Sequence, residues 1–356
     1  RKMTDLDELR KATLLAEKFW GRMFGGFLAT TYQDKGETAY LDTYFQTLRS
    51  HQNVKFLEGL KKLGVREDEP PAVKACKYHY FSNILGGLKL QYIEESPKKC
   101  WIRYLAPRAT FTGLAILAVP AHTAKTVAHS WHPRNGELLG CDRLQYVRTK
   151  NMMEGDPYDE AYWVELDRPV APEERLIFRP EIRTPEFDPA KAPQLDPKLW
   201  PEGRRLKARA NYSAGYVSRT TSVLVSKFGV EAAADIVGRT MRGLAIQHIN
   251  ELKADQGIEG ADLHSVVQFF AGILTACRQE FQIEKVSPTK TRIVLKSYKP
   301  FDWEVPEKLR DAFFEYQRIA VRIMNGRVKL FRSVAPEFGA TEAETWEFED
   351  TGRWLW

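Results

Sequence analysis

Apolar residues recur at helical spacing over 5–33 and 37–63, and again over 206–227 and 229–255, a pattern that predicts two pairs of helices. Downstream of each pair, "LQYIEESPKKCWIRYL" (90–105) and "FQIEKVSPTKTRIVLK" (281–296) read as strand, Ser-Pro turn, strand. The two align at an offset of 191: Gln91 with Gln282, Ser96-Pro97 with Ser287-Pro288, Ile102 with Ile293. A second hairpin, "YVRTKNMMEGDPYDEAYWVEL" (146–166), aligns with "LFRSVAPEFGATEAETWEFED" (330–350) at an offset of 184. There Arg148 meets Arg332, Gly155 meets Gly339, Glu160 meets Glu344 and Tyr162 meets Trp346. Upstream, Arg49 and Glu58 match Arg242 and Glu251 at an offset of 193.

Each half therefore reads helix, helix, a short further helix, hairpin, helix, hairpin. Antiparallel hairpins with segregated helices define an α+β unit. The repetition predicts a tandem duplication of a helix-helix-hairpin-helix-hairpin unit, with antiparallel sheets, packed about a pseudo-twofold. The expected division is a site-bearing repeat at 1–166, a connector at 167–204, and a structural or dimer-like repeat at 205–356. Eight of the 19 prolines fall in the connector, from Pro169 to Pro201, so extended chain is expected there. It also holds Leu176, Ile177, Phe178, Phe187, Leu195, Leu199 and Trp200, more apolar surface than a free tether needs. An ordered strap is the expectation.

Strand alternation places Leu144, Tyr146 and Arg148 on one face, and Glu160, Tyr162 and Val164 together on the return strand. A constant index sum then makes Arg148–Glu160 and Arg332–Glu344 the expected cross-strand pairs. Two roles stay open for them. Either they are ion pairs holding register near the hairpin end, or Arg148 faces a pocket and grips a substrate carboxylate.

Composition narrows the function classes. The net charge of +6 comes from 53 basic against 47 acidic residues, a mixed surface that gives no footprint for nucleic acid. The basic run "EGRRLKAR" (202–209) reads as a solvated helix face. Cys76, Cys100, Cys141 and Cys277 form no CxxC spacing, which argues against a zinc knuckle or redox pair and for a reducing cytoplasm. The longest apolar stretch, "GLAILAVPA" (113–121), is about half a membrane span, so no membrane association is expected. Because the chain opens on Arg1, a removed leader stays open. No glycine-rich phosphate loop appears and no cofactor is expected.

The segment "RTKNMMEGDPYDEAYWVEL" (148–166), preceded by "SWHP" (130–133), resembles the C-terminal signature of the L-2-amino-thiazoline-4-carboxylic acid hydrolase family. That pattern runs roughly Phe-Asn-Pro, then a strand ending Arg-Thr-Lys-Thr, then Gly-Asp-Asp-Tyr-Cys-Asp and a closing strand. Here Trp131-His132-Pro133, Arg148-Thr149-Lys150 and Gly155-Asp156-Pro157-Tyr158-Asp159-Glu160 take those places. The match covers about 40 residues and extends loosely over 10–166 through the order of elements. It departs where the chemistry sits. The family's final cysteine is Asp159, its Asn before Pro is His132, and a Cys-and-Asp pair on the preceding helix falls at Ala121, His122 and Ala124. The resemblance implies hydrolytic opening of a small C–N- or C–S-containing ring. The outline is also similar to ligand-binding 4-vinyl-reductase-type domains.

Three of the seven histidines, His122, His129 and His132, lie in "HTAKTVAHSWHP". On one helix, spacings of seven and three place all three along one stripe. That spacing matches no familiar zinc motif, and no metal is expected. A histidine in a last helical turn can equally interact with the helix dipole. The corresponding helix at 308–329 has no histidine, which points to a single working site in the first copy.

The expected catalytic set is His129 or His132 as general base on water, with Asp159 or Glu160 orienting or relaying. Asp142 and Asp156 are further candidate acids, and Cys141 is an alternative nucleophile. Arg148, His122, Tyr158 and Tyr80 are expected to bind substrate, and His79 either lines the same pocket or lies beneath the sheet. Tyr80 belongs to an aromatic set with Phe19, Trp20, Phe24, Phe27, Phe81, Trp101 and Tyr104 that suits either a ligand pocket or plain core. The expected activity is a hydrolase on a small, carboxylate-bearing cyclic substrate. The alternatives are a non-catalytic small-molecule-binding or sensor protein, and a lyase or isomerase. The expected partners are a small-molecule substrate and, in one reading, a second copy in a homodimer.

Overall fold

The computed structural model describes residues 5–106, 120, 122–334 and 344–356. The apolar stretch at 113–121 and the turn at Gly339 therefore lie outside the described residues, save Pro120. The fold is α+β. Its first helical run, α1 (Asp5–Lys62), breaks at Gly36, and α2 (Pro71–Leu85) follows. The hairpin β1 (Leu90–Ser96) and β2 (Lys99–Leu105) comes next, then α3 (Thr123–Trp131) and the short α4 (Asn135–Leu138). The second hairpin is β3 (Leu144–Lys150) and β4 (Tyr158–Glu165), and the proline-rich segment contributes β5 (Leu176–Phe178).

The second half repeats this order. It runs α5 (Glu202–Asn211), α6 (Ala214–Asp255), α7 (Leu263–Ala276), then β6 (Phe281–Ser287) and β7 (Lys290–Leu295). It closes with α8 (Glu307–Phe313), α9 (Glu315–Met324), β8 (Val328–Val334) and β9 (Glu344–Asp350). The helix expected over 206–227 is thus two pieces, because the chain turns at Tyr212–Ser213 between α5 and α6. In α6 the backbone breaks at Gly229 (φ 80°, ψ 168°), the counterpart of Gly36 (φ 82°, ψ 178°). Those dihedrals are open essentially to glycine alone.

The chain forms two compact units. One comprises the described residues of 1–36 and 210–356, the other those of 37–110 and 115–209. The first therefore takes the opening part of α1 together with the C-terminal half. Its core sets Phe24 against Tyr216 (5.2 Å between centroids), Phe27 against Phe313 (5.7 Å) and Phe19 against Tyr316 (5.5 Å). Arg22, nearly buried, holds Glu251 through Nη2 at 2.8 Å. No helix among the described residues is long and apolar enough to cross a membrane.

The sheet of the second unit has the order β1-β2-β4-β3-β5, and the sheet of the first has β6-β7-β9-β8. The first hairpins share one register, since Leu90 faces Tyr104 as Phe281 faces Leu295. The second hairpins correct the expected pairing. Arg148 lies opposite Ala161 and Arg332 opposite Trp346, so neither arginine faces its expected glutamate directly, yet the Arg332–Glu344 ion pair forms on the diagonal at 2.7 Å while Arg148–Glu160 does not. A bulge between Arg148 and Lys150 shifts the register further, leaving Lys150 opposite Glu160. Arg148 is 11 residues before its ion-pair partner Asp159, whereas Arg332 is 12 before Glu344. The stretch from arginine to carboxylate is thus one residue shorter in the first half, so a constant offset aligns Glu344 with Glu160 where the registers match it with Asp159.

The sheets also differ on the face turned away from their helices. In the five-stranded sheet Trp101, Val147 and Tyr162 form an apolar cluster, covered by Ile177 and Ile182 of the proline-rich segment. That segment adds β5 parallel to β3, pairing Tyr146 with Leu176 and Arg148 with Phe178, so this sheet is mixed, not purely antiparallel. Farther on, Trp200 Nε1 donates to the Lys62 carbonyl at 3.1 Å. In the four-stranded sheet the corresponding positions are Arg292, Phe331 and Glu347, and Arg292 Nε donates to Glu347 at 2.7 Å. One face is written for a covering segment and the other for water.

Gly36→Ala and Gly229→Ala are each expected to lower stability by roughly 1–3 kcal/mol, the strain of a side chain at these dihedrals. No neighbour lies within 4 Å of a Cβ at either position, so the loss arises from backbone strain alone. Urea denaturation of the two variants measures it, and an Ala variant as stable as the parent would contradict the assigned backbone.

Candidate functional site

The central strand β4 sorts the candidate acids. Asp159, Ala161 and Trp163 point to the helices, while Glu160, Tyr162 and Val164 point to the proline-rich segment. Glu160 is consequently parted from the histidines. Its Oε2 accepts from Arg103 Nε, and its Oε1 accepts from Thr149 Oγ1 at 2.6 Å and Thr184 Oγ1 at 2.8 Å. Arg103 completes its fork on Gln91 Oε1 at 3.0 Å and on the Pro185 carbonyl, and the Tyr158 ring lies 5.2 Å from it. Glu160 and Tyr158 thus belong to a buried clamp beneath the strap.

On the helix face Arg148, 2% exposed, donates to the Ala124 carbonyl at 2.7 Å and to Asp159 Oδ1 at 3.1 Å. Asp159 Oδ1 also accepts from the Met152 amide at 2.9 Å. Arg148 and Asp159 are therefore a built ion pair at the end of α3. His129, exposed on α3, is held below the ordinary histidine range by partial burial and by the Arg148 charge. It is neutral near pH 7, as a general base must be.

Deeper in the same layer lies a ladder of four rings. Trp163 stacks on His79 at 5.1 Å, His79 on His132 at 4.2 Å, and His132 on Tyr146 at 4.8 Å between centroids. His132 Nε2 meets the Tyr104 hydroxyl at 3.1 Å. The protonation of His79 follows from a chain of amides. Gln52 Nε2 donates to the Trp131 carbonyl at 2.8 Å, and that carbonyl only accepts. The same Nε2 meets Asn135 at 3.0 Å, so the atom it meets is Oδ1, and Asn135 Nδ2 donates to His79 Nε2 at 2.8 Å. A ring nitrogen that accepts is unprotonated, so neutral His79 carries its proton on Nδ1.

His122, His129 and His132 do not share a stripe. His122 is exposed and meets Glu37 Oε1 through Nδ1 at 2.6 Å, His129 is exposed, and His132 is 4% exposed. The helix ends at Trp131, and a tighter 3-10 turn containing Pro133 carries His132 inward. The helix-end carbonyls are capped from α1, where Arg49 Nε donates to the Ser130 carbonyl at 2.8 Å and Gln52 to that of Trp131. Tyr80 packs on Tyr92 at 5.4 Å, apart from the ladder. Cys141 is half-buried in the turn before β3, where the Asp142 carbonyl accepts from Val170 N at 2.8 Å. Asp156 caps the β3–β4 turn through the Asn151 amide at 2.7 Å. Among the described residues no group of three or more His, Cys, Asp or Glu is arranged to hold a metal.

The other unit serves as an internal comparison. The strand registers and helix order place Phe270, Leu295, Leu330 and Phe348 where the first copy has His79, Tyr104, Tyr146 and Trp163, and Tyr316 where it has His132. Phe270 stacks on Phe348 at 5.6 Å as His79 does on Trp163. Phe270, Leu295 and Leu330 thus stand where the other unit has His79, Tyr104 and Tyr146, while Tyr316 keeps a polar ring. Gln52 and Asn135 carried no sequence signal, because they meet the ladder only through elements distant in the chain, and Tyr104 stood out only as one of an aromatic set. No protein-family model, curated protein or solved structure matches the chain, so the resemblance to the thiazoline hydrolases rests on the quoted residues alone.

Glu160→Ala strands the Arg103 charge beneath the strap and is expected to destabilise by roughly 3–5 kcal/mol, while Arg103→Met with Glu160→Leu recovers much of that loss. Urea denaturation of the single and double variants checks this; a single variant at parental stability contradicts the clamp. In an NMR titration the His129 midpoint should lie below 6.5 and rise in Arg148→Met, because the repelling charge is gone.

Proposed function

We propose that the unit of 37–110 and 115–209 is a hydrolase module, opening a C–N or C–S bond in a small cyclic substrate that carries a carboxylate. The observation that carries this reading is the ladder of His79, His132 and Tyr146 in one unit, with apolar Phe270 and Leu330 at two of the three matching positions in the other. Burying imidazoles and hydroxyls costs free energy that a phenylalanine core avoids, and departures of this kind cluster at functional sites. The two units arose, in this reading, by duplication, and one copy kept the chemistry.

His129 is the base. Water attacks the ring carbon, its proton passes to the free imidazole nitrogen of His129, and the protonated imidazole returns that proton to the departing nitrogen or sulfur. Arg148 adds to partial burial in keeping His129 neutral before attack, and the substrate carboxylate is drawn to Arg148 beside Asp159, which lies 3.1 Å from it. His132, His79 and Tyr104 position the floor of the site. Because the base works unprotonated, the rate should rise with pH and level off above a midpoint lower than 6.5, and Arg148→Met should move that midpoint upward.

The test is incubation with 2-aminothiazoline-4-carboxylate and a panel of five-membered cyclic amides, following thiol or amine release. His129→Ala should lose about 10²–10⁴-fold in rate, the span of a lost general base, and Arg332→Ala should keep its activity. Saturable binding of these compounds without release would favour the non-catalytic binding module instead. A fully active His129→Ala variant would remove the assignment.

A further inference from the structure

In the five-stranded sheet the outer edge of β3 is filled. Tyr146 N donates to the Arg175 carbonyl at 2.9 Å, and Arg179 N donates to the Arg148 carbonyl at 2.8 Å, so the strap runs parallel to β3 as β5. Among the described residues no strand pairs with the corresponding edge of β8. The two edges nevertheless correspond residue by residue. As the chain leaves β4, Leu166 N and Val170 N donate to the Arg143 and Asp142 carbonyls at 3.0 and 2.8 Å. Beyond β9, Thr351 N and Leu355 N donate to the Arg327 and Gly326 carbonyls at 3.1 and 3.0 Å. These are the same contacts, with the donors shifted by 185 positions and the acceptors by 184. Along a strand, residues on one face turn their N–H and C=O groups to one edge. Leu330 and Arg332 take the places of Tyr146 and Arg148, so their backbone groups point outward from β8 as those of Tyr146 and Arg148 point to β5.

The side chains on the other face define what fits there. Val147, paired with Ile177 of β5, is 1% exposed, whereas its counterpart Phe331 is 58% exposed. Arg292 and Glu347 suit the open face to water, but a phenylalanine on an unpaired edge does not; it makes β8 a template for a further strand. Gln145 donates from Nε2 to the Glu174 carbonyl of the strap at 2.8 Å, and its counterpart is the exposed Lys329. Glu349, opposite Lys329 on β9, is held instead by Lys290 at 3.6 Å. A cation at this point calls for acid where the strap has Glu173 and Glu174. We propose that the outer edge of β8 binds an extended peptide of a partner protein, parallel to β8, with acidic residues beside Lys329 and an apolar side chain over Phe331. The main chain supplies the hydrogen bonds, and these two side chains supply the selection. A second copy fits less well: two β8 strands related by a twofold run antiparallel, and a lysine on an edge opposes pairing of like edges. The site lies wholly within the unit of 1–36 and 210–356 and stands independently of the hydrolase reading.

The probe is a fluorescein-labelled peptide with the strap's own sequence, "APEERLIFRPEI" (171–182), titrated with the full chain and read by fluorescence anisotropy. The β3 edge is already filled, so saturable binding is expected at β8. Phe331→Asp should weaken it roughly tenfold or more. Lys329→Glu should weaken it as well, and a peptide carrying Glu173→Lys and Glu174→Lys should bind that variant better than it binds the parent. Both side chains are exposed, so both variants should unfold at the parent's temperature. No saturable binding, or binding that Phe331→Asp and Lys329→Glu leave unchanged, overturns the proposal. Sedimentation velocity without peptide should give the same species for the parent and Phe331→Asp; a concentration-dependent dimer that Phe331→Asp abolishes would assign the edge to a second copy and overturn the proposal too.

Discussion

A carboxylate cannot leave water without a cation or several donors to receive it, and β4 buries two in succession. Asp159 turns to the helices and meets Arg148, while Glu160 turns to the strap and meets Arg103 with two threonine hydroxyls. Because adjacent side chains on a strand take opposite faces, these two pairs fix both layers against the sheet at once. A slip of one residue would exchange the carboxylates between a cationic helix end and a hydroxyl-lined clamp. The same constraint divides the labour of the unit. The strap side becomes a sealed structural clamp, and the helix side keeps the arginine whose charge adds to partial burial in lowering the His129 pKa.

Much of this architecture was legible in the residues. The Ser-Pro hairpins align at a single offset, and the registers of β1–β2 and β6–β7 reproduce it residue for residue. The second hairpin was legible only to within one position. Sequence identity favoured Glu160 opposite Glu344, yet a stretch from arginine to carboxylate shorter by one residue gives that place to Asp159. Periodicity has no means of seeing a deletion inside that stretch, because the strands on either side still alternate. The histidine stripe failed for a related reason. A helical spacing argument assumes the helix continues, and Trp131 ends it one residue before His132. The ladder of His79, His132 and Tyr146 was beyond any local reading, since α2, the 3-10 turn after α3 and β3 each supply one ring.

The two units show how one fold supports different interiors. Where the five-stranded sheet has Trp101 and Tyr162 on its outer face, the four-stranded sheet has Arg292 and Glu347 joined at 2.7 Å. Where the first copy has His79, the second has Phe270. The substitutions are coordinated by surface: the strap covers Trp101, Val147 and Tyr162 together with the Glu160 clamp, while the open face of the other sheet carries the Arg292–Glu347 pair. Charge is buried in the other interior as well, where Arg332 holds Glu344 at 2.7 Å.

The composition of the first unit has a consequence for synthesis. Phe19, Trp20, Met23, Phe24 and Phe27 all lie in the opening part of α1 and are buried in the completed protein. Their partners Tyr216, Phe313 and Tyr316 leave the ribosome some 190 or more residues later, which at about 5–20 residues per second is roughly ten seconds or longer. Throughout that interval the unit of 37–209 acquires its whole sheet and strap while five large apolar side chains upstream have nothing of their own unit to pack on. These side chains therefore wait for their partners until the second half has been made.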